Sequence, residues 1–140
     1  MAKPKPHDRF TSTVSLTPAA VSEYATAVGD NNPVHHDSAF AAASRYGRLI
    51  ASGTHTTALI LGLTASYFSK YAAMVGLEFG VRFFMPIYAD ETIQLEWLVI
   101  RVKPNAKLRG DIVELRGRIR NQQGRTALGA TGKVLVTSQL

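Results

Sequence analysis

Asp30, His35, His36 and Asp37 fall within eight residues, Asp30-Asn31-Asn32-Pro33-Val34-His35-His36-Asp37, with no aliphatic run among them. A carboxylate and an imidazole at this spacing can hold a single water between them. One takes its proton while the other delivers or receives a proton elsewhere. Asn and Asp bond their own backbone in turns, Pro fixes φ, and the residue before Pro is pushed out of the helical region. The stretch therefore reads as a tight polar loop that keeps Asp30 and His35 in fixed relation. An Asp satisfied within its own turn and a solvent-facing His would be the simpler reading of either residue alone. Adjacent His residues raise the question of metal, but metal sites on one helix use His at i and i+4. Asp37 is better explained as a helix N-cap, and no metal site is expected.

A second cluster is Ser52-Gly53-Thr54-His55 at the start of a long uncharged run. A helix N-terminus offers unpaired N–H groups and the positive end of the dipole, and a glycine lets a ligand oxygen approach the backbone closely. That suits an oxyanion hole for a thioester carbonyl, whose enolate needs stabilising while a proton moves at the adjacent carbon. An ordinary N-cap at Ser52 is the plainer alternative, and His55 reads as a core histidine facing the preceding helix. Arg116, Arg118 and Arg120 share one face of a strand by period two. A solvated outer face explains them more simply than contact with phosphate.

Patterning supplies the elements that must hold these groups. Phe10 to Leu16 reads as a short strand. Thr17-Pro18 is an N-cap followed by Pro at the first helical position. Val21, Tyr24, Ala25 and Val28 keep helical spacing up to Gly29. After the polar loop, Asp37 caps a short helix, Ser38 to Arg45, with Phe40 and Ala43 facing in. From near Gly53 to near Lys70 runs a helix apolar almost all round, which marks burial. Its Ser, Thr, His and Gly residues argue against a membrane span. The period then becomes two. Leu77, Phe79, Val81, Phe83 and Met85 face one way. Ile93, Leu95, Trp97 and Val99 alternate with Thr92, Gln94 and Glu96. Lys103 to Ala106 is expected as a loop. Val113, Leu115 and Ile119 alternate with Glu114 and the arginines. Asn121 to Gly124 is a hairpin turn, and a last strand runs from Arg125 to about Thr137. Four strands joined by short turns predict an antiparallel meander, half buried, covering the apolar helix.

Composition bounds the classes. A chain of 140 residues fits one domain, with a tail over 1–9 expected to be flexible and the domain over 10–140. With no cysteine, disulfides, thiolate metal sites and cysteine nucleophiles are excluded, which agrees with a cytoplasmic location. The amino end has no apolar core typical of a secretory signal. The net charge of +6 lacks the clustered base-edge or stacking residues that nucleic-acid binding needs. It fits a small polyanionic ligand, such as a nucleotide-bearing thioester, at least as well.

The run from Asp30 to Asp37 resembles the D-x-N-P-[hydrophobic]-H-x-D signature of the MaoC-like, (R)-specific enoyl-CoA hydratases. The resemblance continues in Phe40-Ala41, Leu49-Ile50-Ala51-Ser52-Gly53, and Phe83-Phe84-Met85-Pro86-Ile87 with Asp90. It implies an α+β hotdog fold, an antiparallel sheet wrapped around one long central helix, usually paired as a homodimer or a dimer of dimers. It also implies a lyase of fatty acid metabolism in which Asp30 and His35 activate one water and the Gly53 N–H meets the thioester oxygen. Asn32, Ser52 and Thr54 would then be substrate-binding. No metal or redox cofactor is implied; coenzyme A, or an acyl carrier, arrives as part of the substrate. Many members have His before this glycine and Met after it, where Ser52 and Thr54 stand here, so the site is more polar at that point. A hotdog thioesterase and a non-catalytic acyl-CoA binding protein are the alternatives. Thioesterases of this fold commonly carry a carboxylate on the central helix, and none lies between Gly53 and Ser69.

Overall fold

The computed structural model describes residues 3–140. In chain order they form β1 (Arg9–Ser15), α1 (Pro18–Ala27), a 3-10 turn (Pro33–His35), α2 (Ser38–Ala43), α3 (Gly53–Phe68), β2 (Ala73–Phe83), β3 (Thr92–Asn105), β4 (Gly110–Arg120) and β5 (Thr126–Thr137). Within the stretch expected as a tail, Lys5 N–H donates to the Asp8 carboxylate at 3.0 Å and His7 N–H to the Val99 carbonyl at 2.9 Å.

All five strands pair antiparallel in one sheet, in the order β1-β3-β4-β5-β2. The expected four-strand meander holds only for β3, β4 and β5. β2 lies at the far edge, against β5, because the segment after it does not make a hairpin. It crosses over and pairs with the chain leading into α3: Ala51 N–H donates to the Ile87 carbonyl at 2.8 Å, Ala89 N–H donates to the Leu49 carbonyl at 3.0 Å, and Ile50 bridges Tyr88. β3 continues through Lys103 and Pro104, where a loop was expected, and Pro104 pairs opposite Asp111. A bulge between Gly76 and Glu78 interrupts the period of β2. Leu77, expected to face inward, is the extra residue and is exposed, while Met74, Phe79 and Val81 pack on the core.

One face of the sheet wraps α3. Ile93, Leu95, Trp97 and Val99 of β3, with Val113, Leu115 and Ile119 of β4, are buried against it. The Trp97 indole N–H donates to the Ile60 carbonyl in mid-helix at 2.7 Å. A Cβ on Gly117, opposite Trp97, would come 2.6 Å from that ring, so the indole lies flat only over glycine. The helix, expected to be buried all round, is buried along one stripe, with Leu59, Leu61 and Leu63 only partly covered. Its buried stripe is Thr56, Ile60, Thr64 and Phe68, at intervals of four, with His55 beside it. The two buried hydroxyls bond back to helix carbonyls, Thr56 to Gly53 and Thr64 to Leu61. In the six-residue α2 only Ala41 is buried, and Phe40 and Ala43, expected inside, face out because so short a helix turns one position to the core. The arrangement is the hotdog architecture: one antiparallel sheet around one long helix.

Candidate active site

The Asp30 loop is built onto the end of α1. Thr17 caps that helix by accepting the Ala20 N–H at 3.1 Å. At its other end Gly29 adopts φ of 77°, its N–H donates to the Thr26 carbonyl, and the Asp30 N–H reaches back to the Ala25 carbonyl at 2.8 Å. This is a Schellman motif with Asp30 as its last residue. The Asp30 carboxylate accepts the Asn32 N–H at 3.1 Å. Asn32 in turn caps the 3-10 turn by accepting the Val34 N–H at 3.3 Å. Asp37 caps α2 by accepting the Phe40 N–H at 3.0 Å.

This turn chemistry brings the acid and the buried His35 together, with Nε2 of His35 3.2 Å from Oδ2 of Asp30. That gap is too short for an interposed water, so a water would sit against both groups rather than between them. The other ring nitrogen, Nδ1, lies 2.8 Å from the Ile50 carbonyl. A carbonyl only accepts, so Nδ1 carries a proton, and Nε2 is the ring atom turned to Asp30. The Ile50 N–H donates back to the Val34 carbonyl at 3.3 Å, which ties the loop to the chain entering α3.

His36 diverges from His35. Its Nδ1 lies 2.6 Å from the Ser22 hydroxyl on α1, and its Nε2 lies 2.8 Å from the Asp30 carbonyl. With Nε2–H donating to that carbonyl, Nδ1 accepts from Ser22. Among the described residues no group of three His, Asp or Glu side chains is placed to hold a metal ion.

At the start of α3, Ser52 is fully buried, yet its side chain makes no capping hydrogen bond. Its hydroxyl lies 2.6 Å from that of Thr54. With Thr54 donating, the Ser52 proton is free to turn toward Asp30. The Ser52 hydroxyl and the Asn32 N–H hold the Asp30 carboxyl below its usual range against the opposing effect of burial, and the two histidines add smaller pulls in the same sense. The Gly53 N–H, at the first helical position, has no acceptor among the described residues, as expected of a free helix terminus. The Phe83 ring stands over this glycine: a Cβ there would come 3.1 Å from it. A cavity of about 310 Å³ opens beside Gly53, lined among others by Tyr46, Ile50, Thr56, Phe83 and Met85.

His55 packs as expected of a core histidine, stacked on Tyr24 of α1 with ring centroids 4.3 Å apart and planes 10° from parallel. Among the described residues its buried Nδ1 has no partner, and burial lowers its pKa from 6.5.

The structure thus brings Asp30, His35 and Ser52 together and puts Gly53 at the helix start, with Thr54 bound to Ser52. Asn32 shapes the turn. Sequence reasoning missed the Ile50 carbonyl, the Ser22–His36 link and the Phe83 ring over Gly53. A backbone carbonyl carries no residue-type signal, and the other two relations join segments 14 and 30 residues apart.

A family model described as MaoC like domain matches residues 2–114. Solved structures superpose over nearly the whole chain. An (R)-hydratase from A. caviae involved in PHA biosynthesis is 23% identical, with a TM-score of 0.87, covering 97% of this chain and 99% of that one. R-hydratase PhaJ1 from Pseudomonas aeruginosa is 22% identical, with a TM-score of 0.83, covering 97% and 84%. A MaoC-like dehydratase from Rhodospirillum rubrum is 25% identical, with a TM-score of 0.81, covering 98% and 95%. A search of curated proteins found no significant match.

Proposed function

The chain belongs to the MaoC-like domain family, and from that premise we propose that it is a hydro-lyase that hydrates trans-2-enoyl thioesters (R)-specifically, or runs the reverse dehydration of 3-hydroxyacyl thioesters. The observation that carries the reading is the contact of Asp30 Oδ2 with Nε2 of His35, 3.2 Å away. A carboxylate and an imidazole this close can together hold one water against them and move its protons. The (R)-hydratase names of the structural neighbours agree with this choice within the family.

In the proposed reaction the water oxygen bonds to the β-carbon as the Asp30–His35 pair takes one of its protons. The π electrons move toward the thioester carbonyl. The negative charge that develops on its oxygen is met by the Gly53 N–H at the positive end of α3. The pair then returns one proton to the α-carbon on the same face, so that hydroxide and proton together account for one water added. Ser52 and Asn32 support the acid by keeping it ionised and in register. The cavity beside Gly53 is the proposed seat of the acyl group. No resident cofactor is invoked; coenzyme A or an acyl carrier enters with the substrate.

We also read the chain as a homodimer. β2 is an 11-residue edge strand that leaves Val75, Leu77 and Phe83 exposed. An apolar edge of this length invites pairing with a second copy.

Crotonyl-CoA is the direct test. The chain should remove the enoyl absorbance, and Asp30→Asn should abolish that activity while unfolding at a similar temperature. Wild-type protein inert toward a panel of 2-enoyl-CoA substrates would overturn the assignment. Release of free thiol instead would indicate a thioesterase.

A further inference from the structure

The sheet face turned away from α3 carries a cleft of about 670 Å³. Two neighbouring cross-strand rows form its floor. In one row Arg9, Leu98, Arg116, Thr131 and Gly80 stand side by side across β1, β3, β4, β5 and β2. In the next, Glu96, Arg118, Gly129 and Arg82 do. Adjacent strands lie about 4.8 Å apart and successive residues on one face about 6.8 Å, so side chains as long as arginine converge over this floor.

Four guanidiniums here face a single carboxylate. Glu96 takes Arg118 at 2.9 Å and Arg9 at 3.3 Å. Among the described residues, neither Arg82 nor Arg116 pairs with a carboxylate. Elsewhere on this face Lys133 has Glu78 at 3.8 Å, Arg101 has Glu114 at 3.1 Å and Arg120 has Gln94 at 3.0 Å. Arg82 and Arg116 are left without a carboxylate where the cleft brings them together.

The floor beneath them is kept low. A Cβ on Gly80 would come 3.0 Å from the Thr131 hydroxyl, and one on Gly129 would come 2.9 Å from the Phe84 ring. A cleft of this volume suits a small molecule, whereas a macromolecular partner needs a broad surface of about 800 Å². Guanidinium forks match phosphate oxygens bidentately.

We propose that this cleft is a binding site for a small phosphate-bearing anion of diphosphate size, held by Arg82 and Arg116 with the Thr131 hydroxyl as a further donor. The same chemistry has two sources: a free diphosphate or nucleotide, or the nucleotide end of a coenzyme A thioester.

Inorganic pyrophosphate titrated by calorimetry into the full chain, with sodium chloride holding ionic strength constant, tests the site. Saturable binding is expected. Arg82→Gln/Arg116→Gln should weaken it by about tenfold or more, the scale of one charge-assisted hydrogen bond. Arg82→Lys/Arg116→Lys, which keeps the charge without the fork, should fall between, and it serves should the Gln pair not fold. No saturable binding at constant ionic strength, or equal binding by wild type and both variants, overturns the proposal. A KM that rises for crotonyl-CoA but not for crotonyl-pantetheine in the variants identifies the substrate's own nucleotide. Unchanged KM with lost pyrophosphate binding identifies a separate ligand. If the chain turns over no enoyl thioester, the proposed reaction fails, and the pyrophosphate titration still decides the site.

Discussion

The Asp30 N–H donates to the Ala25 carbonyl at 2.8 Å, across the turn that ends α1. The candidate acid is therefore fixed by its backbone to a helix that opens with its own cap and Pro. It does not depend on a mobile loop for its position. Gly29 makes this possible because it adopts φ of 77° without strain.

Gly29→Ala follows from that relationship. Nothing lies within 4 Å of the new Cβ, so the cost is conformational and not steric. It should be about 1 kcal/mol of unfolding free energy, with a loss of the proposed hydratase activity as Asp30 shifts. Gly29→Asn should recover part of both, because Asn tolerates this region. Equal behaviour of the two variants in denaturant titrations would argue against the motif.

His36 is expected to act as a positioning residue. It holds the Asp30 carbonyl at 2.8 Å and the Ser22 hydroxyl at 2.6 Å. His36→Phe should lower kcat about tenfold, the worth of one hydrogen bond in the transition state, with little change in KM. His36→Gln should restore part of kcat. A change confined to KM would place the residue in substrate binding instead.

His55 makes stability depend on pH. Burial lowers its folded pKa, so the unfolded chain binds the proton more readily. The stability that comes with a neutral ring is complete above the ordinary value of 6.5, and it is lost as pH falls from there through the lower folded value. The wild-type Tm should decline across that window. His55→Phe keeps a ring against Tyr24, removes the unpartnered Nδ1 and does not titrate, so its Tm should be flatter over the same range. Removing a buried unsatisfied nitrogen should also raise stability by about 1 kcal/mol. Parallel wild-type and variant profiles of Tm against pH would refute this.

Phe83→Ala should widen the cavity beside Gly53. The ring is 59% exposed, so its removal costs the fold little. The ratio of kcat/KM for an eight-carbon over a four-carbon enoyl-CoA should rise about tenfold, the scale on which a hydrophobic pocket discriminates chain length. An unchanged ratio would place the acyl chain elsewhere.

Local chemistry was legible from residue order. Thr17, Asn32 and Asp37 cap their elements as their types require, Gly29 ends α1, and alternation in β3 and β4 separates buried from exposed positions. These signals act over two to four residues, within reach of one side chain and its neighbouring backbone. The pairing of acid and imidazole belongs to this group, since one short turn spans both.

Strand order was not legible. Period two does not distinguish β2 beside β3 from β2 beside β5. The choice rests on the crossover segment, which hydrogen-bonds the chain around Ile50 and so forgoes a hairpin. The tautomer of His35 depends on a carbonyl 15 residues away, and the state of Asp30 on a hydroxyl delivered by the start of α3. By itself the amino-acid order determined which groups could do chemistry and which turns would hold them. Only the tertiary structure decided what they face, because hydrogen bonds and packing between distant segments are settled when the sheet closes around the helix.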